Sequence, residues 1–312
     1  MKKQQRGMTL IELMISLVLS LGLIAGISSL FVQMQKSNKI QRGLSAMTDE
    51  SSYVQEVLQK EIRRTGGLRS RSDTNGQEDR IFLGNPTNTF HQNVLGSGLA
   101  FNDGEYIKGA ANNRFILRYQ LLDANDLGAT DPSNSNSPCT MMTALDAAAI
   151  PQQDPAVQNH VVSVYIYLNG TTLSCTAQRA VQDRLVSGAG NEWCSKNCAT
   201  ERTSFAGSVT ADYVPPATPA TLINNVTSLT MRYGIDFDGD KSANYYVTAA
   251  DVPAALWTQV VSVRLSVVVR SEEDHLTDTK VAYKIDGVLQ SAPTDNRLYK
   301  AITTTIALRN QL

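Results

Sequence analysis

From Met8 to Val32 nearly every residue of this 312-residue chain is apolar or small, and Glu12 alone puts a carboxylate inside the run. No other feature limits the fold so strongly. About 20 apolar residues at 1.5 Å each cross a bilayer, and Met8 to Phe31 is long enough to do so. A charge at the centre of such a helix costs about 2.5–3.5 kcal/mol on insertion scales, and intramembrane charges are functional by default. Lys2, Lys3 and Arg6 precede the run, which places the N-terminus in the cytoplasm and exports the rest. Lys36, Lys39 and Arg42 just beyond it weaken that asymmetry. An ordinary secretory signal peptide is the competing reading, but this core is too long for one and its Ala-rich cleavage pattern is poor.

The stretch Gly7-Met8-Thr9-Leu10-Ile11-Glu12 resembles the type IV prepilin signature: a short basic leader, a glycine, then an apolar helix with glutamate at its fifth position. The resemblance implies cutting after Gly7 by a membrane aspartyl peptidase and methylation of the new amino-terminus on Met8. Met8 departs from the phenylalanine usual at that place. It also implies that Glu12 faces the terminal amine of a neighbouring subunit, each charge offsetting part of the other's desolvation. The plainer alternative is a carboxylate that snorkels to the headgroups one turn away. Gly22 and Gly26 add a G-x-x-x-G spacing that lets another helix approach closely.

Helical periodicity continues past the apolar run. Ile40, Leu44, Met47, Val54, Leu58 and Ile62 form one stripe, with Lys39, Arg42, Asp49, Gln55, Gln59 and Arg63 opposite. No proline interrupts, and Gly66-Gly67 supplies the stop. The pattern predicts one helix over residues 8–65, apolar all round in its first half and amphipathic in its second. Strands are expected at Phe115–Tyr119, Val161–Leu168, Thr171–Thr176, Val226–Ile235, Val260–Arg270 and Ala301–Arg309, with a tight hairpin at Asn169-Gly170. The fold class is α+β: a long N-terminal helix packed on an antiparallel sheet, with long loops at Thr130–Gln158 and Ala206–Leu222. The segments are a leader at 1–7, a membrane-spanning half-helix at 8–32, an amphipathic half-helix at 33–65 and an exported β-rich domain at 66–312.

Four cysteines, Cys139, Cys175, Cys194 and Cys198, read as two disulfides in an exported chain, with three pairings open. Cys194-x-x-x-Cys198 without a nearby histidine matches structural zinc sites poorly. With a net charge of −1 and a pI near 6.3, nothing suggests a nucleic-acid surface. The three histidines, His91, His160 and His275, sit in no catalytic pattern, and no nucleophile elbow, zinc-protease motif or phosphate loop occurs. The chain is not read as an enzyme, and no cofactor is called for unless it is calcium.

Two C-terminal stretches, Arg232-Tyr-Gly-Ile-Asp-Phe-Asp-Gly-Asp240 and Arg297-Leu-Tyr-Lys-Ala-Ile-Thr-Thr-Thr-Ile-Ala-Leu-Arg309, resemble the minor pilins of the PilW family. That implies a pilin fold and a low-abundance subunit that helps start fibre assembly, in a tip complex with other minor pilins. Its partners would be major and minor pilins, the prepilin peptidase and the inner-membrane assembly platform. It would lie in the inner membrane before assembly and in the extracellular pilus afterwards. The J-type pseudopilin of type II secretion shares the signature and is the alternative, as is an adhesin on a pilin anchor. Asp236, Asp238 and Asp240 alternate as in the first half of a calcium loop, with Ser242 and Asn244 as further oxygens. Lys241 replaces the loop glycine and Val247 the closing glutamate, so a solvated Asp/Gly turn accounts for the same residues.

Overall fold

The computed structural model of the chain describes residues 9–67, 97–102, 104–110, 114–120, 139, 160–181, 185–187, 190–192 and 219–308. Helix α1 (Leu10–Arg64) is unbroken, about 80 Å at 1.5 Å per residue. Thr9 caps its start, and at its other end Thr65 and a left-handed Gly66 (φ 78°) close it. Every large apolar residue from Leu10 to Met34 is more than half exposed, and this is the one helix among the described residues long and apolar enough to cross a membrane. Ser16 and Ser20 return their hydroxyls to the carbonyls of Leu13 and Leu17, at 2.9 Å each, which satisfies the polar atoms of the apolar half.

The strands follow in order: β1 (Ile107–Ala110), β2 (Arg114–Gln120), β3 (His160–Asn169), β4 (Thr172–Val181), β5 (Leu185–Ser187), β6 (Gly190–Glu192), β7 (Ala220–Ile223), β8 (Val226–Ile235), β9 (Tyr245–Val247), β10 (Val260–Arg270), β11 (Lys284–Ile285), β12 (Val288–Leu289) and β13 (Tyr299–Ala307). They are divided between a five-stranded sheet, β1-β2-β3-β4-β7, and a four-stranded sheet, β13-β10-β8-β9, with β5-β6 and β11-β12 as separate hairpins. All pairings are antiparallel. The period of two separates the faces: Phe115, Leu117, Val162, Val164, Leu173 and Cys175 point to the same core as Leu229, Tyr233, Val263, Leu265 and Ile306 of the second sheet. The helix adds Met47, Val54, Val57, Leu58 and Ile62 to that core.

The expected stripe begins lower than the structure buries it. Ile40 is half-buried and Leu44 is 47 % exposed, because the main core starts only at Met47. The hairpin turn is shifted by one residue: Asn169 pairs with Thr172, so the turn residues are Gly170 and Thr171. Only Gly170 has a positive φ (59°), the arrangement of a II′ turn with glycine in first place, and it spares Asn169 the left-handed region. The loop expected over Ala206–Leu222 ends in β7, and the closing strand runs over Tyr299–Ala307 rather than to Arg309. Thr130–Gln158 lies outside the described residues except Cys139.

Two contacts tie the parts together. Tyr233 reaches from β8 to β1, where Gly109 leaves it room, and meets Trp257 edge-on at 4.9 Å. On the far face of the five-stranded sheet, fully buried Arg118 donates to the carbonyls of Glu105 (2.6 Å) and Asn102 (2.9 Å) and lies 4.4 Å over the Phe101 ring.

Candidate functional site

Glu12 stands in the first turn of α1, at the third helical position after the cap. The Thr9 hydroxyl accepts the Glu12 N–H at 3.4 Å. Thr-x-x-Glu before an apolar run is therefore half of a capping box, a signal that the sequence carries and the reading above did not use. The positive end of the helix dipole favours a carboxylate here as well. Neither contact occupies the Glu12 carboxylate, which has no hydrogen-bond or ion-pair partner among the described residues. Gly7 and Met8 lie outside them. Around Gly22 and Gly26 nothing comes within 4 Å of where a β-carbon would be, so that stretch of the helix is bare.

One turn beyond the apolar half, the connection from β10 to β13 straps the helix. Asp278 meets Lys36 at 2.5 Å, and Glu273 lies 3.9 Å from Lys39. Leu276 closes on Gly43, where an added methyl would stand 3.1 Å from its Cδ1. The basic residues after the apolar run thus hold the strap. Above it lies a cavity of about 160 Å³ lined by Arg42, Glu50, Arg270 and Glu272 among others. Partial burial, and then the Glu272 charge, push the Glu50 carboxyl above its ordinary value. The strap returns over the other face of the sheet, where Asp286 lies 3.9 Å from Arg232 and 3.6 Å from Arg264. Tyr299 is fixed by Asp295 at 2.8 Å and stacks on Tyr283 at 5.2 Å.

The acidic turn at the other end of the four-stranded sheet gathers its carboxylates within 4.8 Å of one another, the one such group of possible metal ligands among the described residues. Both oxygens of Asp236 accept backbone N–H groups, from Gly239 (2.7 Å) and Lys241 (2.9 Å). Asp238 accepts from Asn244 at 3.0 Å and Asp240 from the Ser242 N–H at 2.7 Å. Partial burial works against the Asp236 charge, but the Gly239, Lys241 and Asp238 bonds outweigh it and hold that carboxyl below the usual range. Lys241 takes the left-handed conformation (φ 68°) that the missing glycine would supply. Val247 lies in β9, so the twelfth position offers no carboxylate. Three such carboxylates can converge on a divalent cation such as Ca2+, yet each already accepts a bond that holds the turn.

Cys139 and Cys175 form a disulfide that fastens residue 139 to the inner face of β4. Cys194 and Cys198 lie outside the described residues, as do His91 and its surroundings.

Residues 210–310 match the family model of type IV pilus-assembly protein W, and residues 2–28 match the prokaryotic N-terminal methylation motif. Among curated proteins none matches the chain. Of solved structures, a type IV-like pilin from Thermus thermophilus is similar at 12 % identity and a TM-score of 0.38, over 85 % of this chain and 98 % of that one. The methylation motif covers the basic N-terminus, Glu12 and most of the bare helix, while the PilW region covers the acidic turn, the strap and the closing strand. The chain thus joins a prepilin-type methylation motif at one end to a region similar to type IV pilus-assembly protein W at the other.

Proposed function

We propose that this chain is a minor pilin that helps initiate assembly of a type IV pilus, in a tip complex with other minor pilins. A membrane peptidase cuts after Gly7 and methylates Met8. The chain then waits in the inner membrane on residues 8–32 with its N-terminus cytoplasmic, and the domain beyond the amphipathic half-helix is exported. The observation that carries the reading is the bare apolar half of α1 with a carboxylate in its first turn that has no partner among the described residues. Such a helix is complete only in lipid or against other helices, and Glu12 then pairs with the Met8 amine of a neighbour. The role is structural: the polar clusters described above hold a turn and a strap together.

The first experiment is the mass of the N-terminal peptide from membrane-extracted protein. A chain that begins at Met8 with one added methyl supports the reading; a cut after the apolar run overturns it. Glu12→Ala should leave processing intact and reduce incorporation into fibres, and normal incorporation would remove the charge-pairing role. Deletion separates the systems. Loss of surface fibres supports the pilus, whereas loss of exoenzyme secretion with fibres intact points to a J-type pseudopilin.

A further inference from the structure

We propose that the outer edge of β13 is an assembly surface that accepts one extended strand from a neighbouring subunit of a different kind. The inference rests on the assembly reading above. It begins with the ladder between β10 and β13. Leu308 donates to the Val261 carbonyl at 2.8 Å and Ser271 to the Leu298 carbonyl at 2.8 Å, and both pairs keep the register of Val263↔Ile306 and Leu265↔Thr304. Hydrogen-bonded pairs recur every second residue in an antiparallel ladder. The even-numbered residues of β13 therefore bond to β10. The N–H and C=O groups of Tyr299, Ala301, Thr303, Thr305 and Ala307 all point the other way, and none has a hydrogen-bond partner among the described residues.

An edge of this length is the usual template for strand addition, and monomers guard against it with charges, prolines or bulges. This edge has none of those guards. Its register with β10 is unbroken, it holds no proline, and its one charge, Lys300, is drawn aside to the Thr48 hydroxyl of α1 at 3.2 Å. Thr303, Thr305 and Ala307 are exposed. The strap lies against β13, with Tyr283 stacked on Tyr299, but adds no ladder bond to it, since β11 pairs only with β12 among the described residues.

The occupant follows from the two faces of β13 and from the membrane. One face continues Ile302, Thr304 and buried Ile306 toward the helix; the other continues Thr303, whose hydroxyl meets that of Ser266 at 2.9 Å. An added strand must alternate apolar with small or hydroxyl side chains and lack proline for about five residues. A second copy cannot supply it through the same edge. Two β13 strands paired antiparallel about a two-fold axis would send their α1 helices in opposite directions, and one membrane admits both only from the same side. The partner is therefore another pilin-type subunit that offers a different strand beside the shared helix bundle.

The test uses the full chain in cells that assemble the fibre. Thr305→Pro removes an outward N–H and leaves the β10 ladder intact, while Thr305→Val keeps the N–H and loses the hydroxyl. A second variant, Thr305→Lys with Ala307→Lys, puts charges on the edge at two exposed positions without altering the backbone. The proline and double-lysine chains should reach wild-type levels and melting temperature in the membrane, yet appear in sheared fibres at roughly a tenth of the wild-type amount or less. The valine chain should incorporate normally. Amide hydrogen exchange at residues 303, 305 and 307 should slow by about tenfold or more on incorporation. Equal incorporation of the double-lysine and wild-type chains, or unchanged exchange, would overturn the edge assignment. Absence of the wild-type chain from fibres would instead overturn the assembly reading on which the assignment rests.

Discussion

Gly109→Ala tests whether the two sheets are joined where the Tyr233 ring crosses β1. A methyl at residue 109 would lie 2.7 Å from Cζ of Tyr233, 3.0 Å from Cε2 and closer still to the hydroxyl. Carbon atoms rest at about 3.5–4.0 Å, so the ring must retreat by roughly an ångström. It is buried and braced against Trp257 at 4.9 Å and 71°, and overpacking of this kind costs about 1–3 kcal/mol. Partial loss of the edge-on contact adds up to about 1 kcal/mol, for a sum of about 1–4 kcal/mol. In a domain of this size each kcal/mol moves the melting temperature by roughly 2–4 °C, so a fall of about 2–16 °C is expected.

Tyr233→Phe supplies the control. Among the described residues the Tyr233 hydroxyl donates only to the Met231 sulfur, at 3.8 Å, and its loss should cost less than about 1 kcal/mol. In the double variant the methyl no longer meets the oxygen, so part of the penalty returns and the cycle should show a coupling of about 1 kcal/mol. The measurement is thermal unfolding of the full chain in detergent, followed by tryptophan fluorescence. A neutral Gly109→Ala, or a cycle that adds to zero, would refute the contact.

Three other perturbations follow from the same packing. Cys175→Ala opens a link between residues 36 apart and should cost about 3–4 kcal/mol on chain-entropy grounds, read as the shift in urea midpoint with and without reductant. Leu58→Ala empties a fully buried site between helix and sheets and should cost about 2–5 kcal/mol in the same titration. Burial pushes the phenols of Tyr106 and Tyr233 far above their ordinary value, and burial followed by Asp295 pushes Tyr299 up to about 12. These folded-state values are raised, so their contribution is intact below about pH 10 and is lost as the pH rises from there. Tyr106 and Tyr233 should each remove about 1.4 kcal/mol per pH unit, and Tyr233→Phe should flatten that slope in melting curves taken between pH 8 and 11.

The parts of the fold that could be read from the sequence are those whose signal is local. An apolar run without proline, a stripe at helical spacing and paired glycines suffice for α1, because each turn reports its own burial. Val226–Ile235 and Val260–Arg270 are legible to the residue, since both are runs rich in β-branched and aromatic residues with polar ones interleaved, a signal that holds whichever face is buried. The Asn169-Gly170 turn misled by one place because only one of its two central residues needs positive φ, and Gly170 meets that need from the first position. Leu44 misled because helical spacing records a possible face and says nothing of how far down the helix the sheets extend.

The strap could not have been read, and the reason bears on the site. Lys36 and Lys39 look in sequence like basic flanks of a membrane span, and nothing around Glu273 or Asp278 marks those carboxylates as their partners. Their partners lie more than 200 residues away, at Lys36–Asp278 and Lys39–Glu273, and no periodicity encodes a pairing of that range. Exposed pairs of this kind contribute little to stability, about 0–1 kcal/mol each. Their effect is one of position. They bring the connection that precedes β13 down onto the helix where the apolar half ends, and Lys300 to Thr48 holds the first turn of that strand against α1. The edge of β13 is therefore carried at a fixed place beside the shaft. On the assembly proposed above, a subunit whose helix packs against this one meets that edge, where the backbone groups of five residues have no partner among the described residues.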